Sequence, residues 1–531
     1  MSQGEAKISI SGSTLTKRQL EILLLIKDGK TNKEIASSLD INLGTVKQHI
    51  AVLFKKLDIH NRSMAVAIAD KFIVNKKRDI FSIRSPYLFA RRPAVVVSLK
   101  FGFSSAKIRR KINTVLSDIA FDFHGHHVNH SPYSADIVFG LKRSSEQDII
   151  AALIAINKVH NLFLELGLAS AQDDYYLSAA IAVGFILVSQ HRYGGWSGET
   201  VAGPVIAEAH KLLVGVEPNS VCLSQETREM LLSFDIDLHK KTTCSFEQVS
   251  ESLCWQRQIN LPLIGRNDLV KRLINSFSSS PICIGIFGES GMGKSRLCRE
   301  LAFLLSEKNF IVEYFKIVPS GCLDMVRGRY IEFFSRVSRV LSTVKSSNRV
   351  IIIDDIHLLP DDERSIFLEI VKNLVQTERV LISGRYAIEP ILKIITTPVR
   401  LSRLDDNDAF DLISKLGVTY DAKSKVFNLS RNIPLFIKEL SKNEDKISIA
   451  LMTVVASRLD MFNLDWKLLY LLSKSSGKAC SEILAIDEDF YESLDAAINA
   501  GVLVDDNGYI RYKNPLVEKV IESFFLVESG D

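Results

Sequence analysis

Apolar residues recur at helical spacing from the start of the chain. Over residues 16–28, with Leu15 just before, Leu20, Ile22, Leu23 and Ile26 form one apolar face, closed by Gly29. Thr31 can cap a second helix over 32–39, and Asp40, Ile41 and Asn42 turn the chain into a third that runs to Leu57. A fourth starts at Asn61 and places Ala65, Ile68, Ala69 and Phe72 on one side. Residues 1–13 are small and polar and are expected to be disordered, and residues 75–92, basic and interrupted by Pro86, read as a connector. From 93 to 238 short β-rich runs alternate with helical patterns, an α+β or α/β signature. Residues 239–260 read as a second connector. Strand–loop–helix repeats begin at Leu261, the pattern turns helical from about 402, and a small β-like segment spans 501–512.

The chain has 531 residues, a length that implies several domains. With 47% hydrophobic and 24% charged residues it lies in the globular range, so disorder throughout is excluded. The net charge of +4 is unevenly spread: residues 14–77 hold 12 Lys/Arg against 6 Asp/Glu, and the rest of the chain sums to −2. A basic module therefore leads a faintly acidic remainder. The seven cysteines are odd in number and none lie at C-x-x-C spacing, which points to reduced thiols and a cytoplasmic setting. No signal peptide is visible. The most apolar stretch, 176–189, is shorter than the ~18–20 residues that cross a bilayer, so a buried strand or helix is expected there and no membrane partner.

The short turn between the second and third predicted helices has helix-turn-helix spacing. The surrounding stretch carries "TNKEIA", "GTVKQH" and "KLDIHNR", and over more than 50 residues it closely resembles the LuxR-type helix-turn-helix of bacterial transcriptional regulators. The resemblance implies that the third helix enters the major groove of double-stranded DNA. Lys47 and Gln48 would then face base edges, with Lys33, Thr45, His49, Lys55 and Lys56 as phosphate or groove-edge contacts. Val46, Ile50 and Leu53 would be core.

The runs "RRPAVVVSLKFGFS", "SADIVFG" and "GPVIAEAHKLLVGVEPNSVCLSQETREML" resemble the class III nucleotide cyclase domain. Cyclase chemistry needs two carboxylates for two Mg²⁺ ions, and an Asn and an Arg for ribose and transition-state charge. Here those positions align with Leu99, Tyr133 (Asp136 lies three residues on), Ala207 and Lys211. A leucine cannot ligate a hard cation and a lysine lacks the arginine fork. The resemblance therefore implies a cyclase fold without cyclase chemistry, left to dimerisation, sensing or scaffolding. The run "FDFHGHHVNH" gathers Asp122, His124, His126, His127 and His130 as candidate metal ligands, although a histidine-rich loop is more often inert.

"PICIGIFGESGMGKSRLCREL" is an apolar strand, a P-loop and a helix. Gly288, Glu289, Ser290, Gly291, Met292 and Gly293 would cradle phosphates of ATP or ADP, Lys294 would reach the β/γ-phosphates, and Ser295 would ligate Mg²⁺. "RVIIIDDIHLL" ends a buried strand in Asp354, a Mg²⁺ ligand through water, and Asp355, which would polarise the attacking water; a helix cap is the alternative for Asp355. "RVLISGR" brings Arg385 to the same crevice, where it could sense the γ-phosphate. The whole pattern resembles the STAND class of signal-transduction ATPases. In that class Ile264, Gly265 and Arg266 of "LPLIGRNDLVKRL" would line adenine, Pro434 of "SRNIPLFIKEL" would lie near it, and a winged helix follows. Asn432 replaces the usual lid glycine, Asn514 replaces a histidine that touches nucleotide, and the long repeat array common after the winged helix is not expected before Asp531.

The fold class expected is multidomain. It comprises an all-α helix-turn-helix (14–76), an α+β cyclase-like (ferredoxin-like) domain (92–238), an α/β P-loop NTPase core (259–400), a helical lid (401–445) and a winged helix (446–528). The function expected is a nucleotide-switched, DNA-binding regulator of transcription that self-associates on activation, with slow ATPase activity serving the switch and RNA polymerase a further candidate partner. Two rivals are an active cyclase with a regulatory ATPase and a signalling scaffold whose helix-turn-helix contacts only protein.

Overall fold

The computed structural model describes residues 8–10, 13–15, 17–27, 30–32, 35–36, 46–47, 49–50, 52–54, 65, 87–102, 106–166, 176–198, 201–236, 238, 240–254, 263–278, 282–319, 321–332, 348–360, 363–386, 388–442, 446–474, 477–486 and 490–525. At the N-terminus, Ile8–Ile10 pairs antiparallel with Ser13–Leu15, so part of the lead expected to be disordered is a short hairpin that also takes Leu15 out of the helical face. Helix α1 (Lys17–Lys27) follows. Ile22, Leu23, Ile26, Ile35, Val46, Leu53 and Ala65 are buried together, with Ile50 packed against them, as the apolar pattern requires.

The middle unit is built on β1 (Tyr87–Gly102), α2 (Ala106–Asp122), β2 (His126–Ser131), β3 (Ser134–Phe139), α3 (Asp148–Glu165) and β4 (Tyr176–His191). It continues through α4 (Pro204–Val214), β5 (Ser220–Leu223), α5 (Gln225–Ser233), β6 (Thr243–Ser245) and α6 (Phe246–Glu251). The sheet order is β2-β3-β1-β4-β5-β6, whose first four strands are the antiparallel β-α-β-β-α-β split arrangement. One face carries Val95, Val97, Leu99 and Phe101 against α2 and α3. The other carries Ala94, Val96, Val138 and Ala182 against Val205 and Ala209 of α4.

Both expected connectors are shorter than their composition suggests. Tyr87–Arg92 already belongs to β1, where each residue pairs with β4; the basic arginines hid a strand. Residues 239–260 contain β6 and α6, fixed by a capping box between Ser245 and Gln248 and by buried Cys244, Phe246 and Val249. The apolar run 176–189 is the buried strand β4.

The next unit comprises α7 (Asn267–Ser276), β7 (Ile282–Phe287), α8 (Lys294–Glu307), β8 (Ile311–Val318), β9 (Gly321–Asp324), β10 (Arg329–Glu332), β11 (Arg349–Asp354), α9 (Arg364–Leu374), β12 (Arg379–Gly384) and β13 (Thr397–Arg400). Its sheet runs β10-β9-β8-β11-β12-β7-β13, with β8, β11, β12, β7 and β13 parallel. Strand β12 thus separates the P-loop strand β7 from the acidic strand β11. Such near-continuous apolar strands suit a parallel sheet covered on both faces.

Helices α10 (Asp406–Lys415), α11 (Tyr420–Ser430) and α12 (Pro434–Leu440) follow, then α13 (Ile449–Leu459), α14 (Trp466–Ser473), β14 (Lys478–Ala479), α15 (Cys480–Ile486), α16 (Phe490–Asn499), β15 (Leu503–Asp506), β16 (Tyr509–Tyr512) and α17 (Pro515–Phe524). β14, β16 and β15 form a small antiparallel sheet of the kind a winged helix carries. The middle sheet and this last unit share buried charge. Arg92 pairs with Asp460, Arg192 Nε lies 2.6 Å from Asp465 Oδ2, and Trp466 N–H donates to Arg192 O at 2.9 Å. Asp235, on the middle unit, pairs with Arg299 of α8 at 2.7 Å and Lys438 of α12 at 2.8 Å.

Candidate nucleotide site

The P-loop joins β7 to α8. Gly293 caps α8 at φ +91°, a left-handed conformation in which a side chain would be strained. Lys294, the first helical residue, is buried, and its Nζ donates to Glu289 O at 2.8 Å. Burial lowers its pKa, an effect that Asp355, Glu146 and Asp354 oppose. Ser290, Gly291, Met292, Ser295, Ile264 and Pro434 line one cavity of ≈ 230 Å³ with Asp354, Asp355 and Arg385. Of the residues expected around phosphate and adenine, Gly265, Gly288 and Glu289 do not line this cavity, and the others do.

Gly265 sits at φ +69°, a left-handed conformation that strains a side chain, and an added Cβ would also crowd the Asp408 carboxylate of α10. Arg266 donates to Ser402 O, tying the same loop to the segment that leads from β13 into α10. Asn432 takes the tight turn between α11 and α12 at φ +61°, a region asparagine tolerates better than most residues, and donates to Asp406 Oδ1 at 2.7 Å. The departure from glycine is thus absorbed locally. Asn514 instead caps α17 by accepting from Leu516 N–H at 2.9 Å and does not line the cavity.

Asp354 is fully buried at the end of β11 and accepts from Ser383 Oγ and, at 3.2 Å, from Tyr314 Oη. Asp355, at φ +61°, makes no cap bond; its side chain is held by Lys316 and by Gln147 Nε2 at 2.7 Å. Burial pushes the Asp355 carboxyl up, but Lys316, His357 and Lys294 outweigh that and hold it below the usual carboxylate range. Burial pushes neighbouring His357 down to about 4, so it is neutral at physiological pH.

Lys316, Arg458 and Glu146 of this site, besides Gln147, were missed in the sequence. Lys316, in strand β8, bridges Asp354 at 3.4 Å and Asp355 and supplies the positive charge between two adjacent carboxylates. Its one visible signal is a lone lysine in the apolar run "YFKIV". Arg458 of α13 donates to Ser290 O and lies 3.3 Å from Glu289 Oε2. Glu146, in the loop 144–147 between β3 and α3 of the middle unit, accepts from Ser290 Oγ and lies 3.2 Å from Arg385 Nη2. Arg385 also donates to Ser457 Oγ at 2.8 Å, so it meets the middle unit and α13 together.

The histidine run does not converge. His126 meets Trp196 edge to face with ring centroids 4.6 Å apart, His127 Nδ1 lies 2.8 Å from Ser117 Oγ, and His124 is a turn residue at φ +59°. Alternation along β2 separates neighbours, and of the run only His130 approaches other ligand-type side chains. In the helix-turn-helix segment Lys47 is exposed and His49 half-buried, while Lys33, Thr45, Gln48, Lys55 and Lys56 lie outside the described residues. Among the described residues no helix is long and apolar enough to cross a membrane.

Residues 13–69 match the family "Bacterial regulatory proteins, luxR family", and residues 284–404 match the "ATPase family associated with various cellular activities (AAA)". The chain is 52% identical over 58 residues to the transcriptional regulatory protein LiaR of Bacillus subtilis, covering 11% of this chain and 28% of that protein. It is 47% identical over 55 residues to the response regulator protein VraR of Staphylococcus aureus, covering 10% and 26%. The chain thus spans about a quarter of the length of these curated relatives. Among solved structures, the Thermotoga maritima RuvB Holliday junction branch migration motor overlaps 48% of this chain and 96% of that one, at 15% identity and a TM-score of 0.31. The adenylyl cyclase CyaB from P. aeruginosa overlaps 27% and 82%, at 17% identity and a TM-score of 0.23. The chain joins a luxR-type DNA-binding helix-turn-helix to an AAA-type P-loop ATPase module.

Proposed function

We propose that this protein is a cytoplasmic transcriptional regulator whose DNA-binding module is governed by a STAND-type nucleotide switch. The observation that carries the reading is the meeting of three units on one P-loop. Ser290 is touched by Glu146 of the middle unit and by Arg458 of α13, while Arg385 contacts both of those units. Lys294, Ser295 and Asp354 would hold a magnesium nucleotide, which supplies the phosphate charge that these groups recognise. Asp355 would orient a water, and Ile264, Arg266 and Pro434 would flank the base. A γ-phosphate and the Glu146 carboxylate want the same donors, so ATP displaces the loop 144–147 where ADP leaves it in place. Displacement loosens the packing of the middle unit and α13, permits self-association and pairs the helix-turn-helix modules on DNA.

The middle unit is read as a cyclase-like fold without the reaction. Supporting this, Leu99 is wholly buried in the core face of β1, and Tyr133 stands half-exposed in the β2–β3 turn, where a metal-binding carboxylate would be needed. The test is Lys294→Ala, with nucleotide retention and promoter activation both measured. Loss of both is expected, and unchanged values for both would sink the switch. A cyclic-nucleotide assay of the wild type, expected to be negative, separates this reading from an active cyclase.

A further inference from the structure

The face of the middle sheet that packs under α4 changes character at one end. Val96 and Val138 are apolar neighbours there, but the next residues on the same face, Ser98 and Asp136, are polar and directly paired across β1 and β3. Asp136 is only 2% exposed. A buried carboxylate needs compensation, and among the described residues no Lys or Arg pairs with it. Instead Ser98 Oγ donates to Oδ1 at 2.7 Å, and two histidines converge on the other oxygen. His130 Nε2, from β2, lies 2.6 Å from Asp136 Oδ2, and His210 Nε2, from α4, lies 2.8 Å from the same atom.

We infer that His130, Asp136 and His210 form a binding site for a zinc-class divalent transition ion. Two imidazoles and one carboxylate, from three separate elements, place their ligand atoms within 4.8 Å of one another. Ligands of a tetrahedral zinc at ~2.0–2.2 Å stand roughly 3.3 Å apart. The two N···O contacts therefore need to open by roughly 0.5–0.7 Å to admit the ion between them. Ser98 is the outer partner that fixes the carboxylate, as metal-ligating carboxylates require. The histidine side chains are 38% and 41% exposed, which gives the ion an entry path and leaves at least one coordination position facing solvent. Imidazole nitrogen with a single carboxylate selects zinc, cobalt or ferrous iron over magnesium or calcium. None of these residues stands at the positions that the cyclase resemblance assigns to catalysis, and the site is independent of the nucleotide switch.

The test is Co²⁺ titration of the full chain, stripped with chelator and then saturated with Mg·ADP so that the P-loop is filled. One Co²⁺ per chain with a visible d–d absorption band, displaced by Zn²⁺, is expected. His210→Ala and His130→Ala should each abolish that band, and Ser98→Ala should weaken binding about tenfold. Each histidine variant keeps Ser98 and the other histidine on Asp136, so the metal-free variants should stay folded, which a thermal melt checks. No Co²⁺ uptake by the wild type, or full uptake by both histidine variants, overturns the site.

Discussion

Glu146 Oε1 lies 3.2 Å from Arg385 Nη2, across 239 residues of chain, and accepts the Ser290 hydroxyl of the P-loop. The middle unit thereby places a carboxylate among the donors that a nucleotide phosphate needs. Glu146→Ala should free those donors. A hydrogen bond to a charged group contributes about 1.5–3 kcal/mol, so ATP should bind roughly ten- to a hundredfold more tightly, with a smaller gain for ADP. Titration with fluorescent ATP and ADP analogues measures this, and an unchanged ATP affinity would remove Glu146 from the switch.

Lys316 is the cation that makes two adjacent buried aspartates tolerable. Lys316→Met should leave Asp354 and Asp355 uncompensated and cost about 3–5 kcal/mol of stability. A magnesium nucleotide brings its own positive charge to the same carboxylates. The melting temperature of the variant should therefore rise more on adding Mg·ADP than that of the wild type; an equal rise contradicts this electrostatic account.

Asp148, at the first turn of α3, accepts from Ser145 N–H at 2.8 Å directly beneath the Glu146 loop. Burial, opposed by that backbone bond and reinforced by nearby Asp460, raises its pKa from 3.8 to about 7. The folded protein thus keeps this proton at a pH where the unfolded chain has lost it. Its contribution to stability falls as pH rises from about 4 to about 7 and is level above. Asp148→Asn should abolish that decline, so the variant's melting temperature relative to wild type should be higher at about pH 8 than at about pH 5. A pH-independent difference excludes Asp148 as the titrating group.

Lys47 is exposed on the basic N-terminal module. Lys47→Ala with Gln48→Ala should weaken binding to the native operator by about 1–3 kcal/mol per lost base contact. Lys55→Ala should weaken specific and non-specific DNA alike and lower the salt dependence by about one counterion. Wild-type affinity in the first variant would place base recognition elsewhere.

The parts of the nucleotide site that are local in the chain were legible without coordinates. Lys294 and Ser295 follow their glycines directly, and Asp354 ends an apolar run, so strand, loop and helix could be read in order. Glu146, Gln147 and Arg458 could not, because each enters from a different unit and nothing in "SSEQD" or "VASRL" marks a partner more than 140 residues away. Likewise the histidine run drew attention to His126 and His127, whereas the side chains that converge with His130 are Asp136 and His210, brought together by sheet register and by α4. The connectors failed for a further reason. In both, charged or small residues cover strands whose few buried positions are Ala90 and Arg92 in one case and Cys244 in the other.

The two buried ion pairs between the middle sheet and the last unit, Arg92 with Asp460 and Arg192 with Asp465, bear on timing. Separating these surfaces requires water to reach four charged groups that are now largely dry, and that rehydration comes before any new contact forms. In the switch proposed above, opening would carry that rehydration as an added step after nucleotide exchange, so a sustained rise in ATP would act where a brief pulse would not.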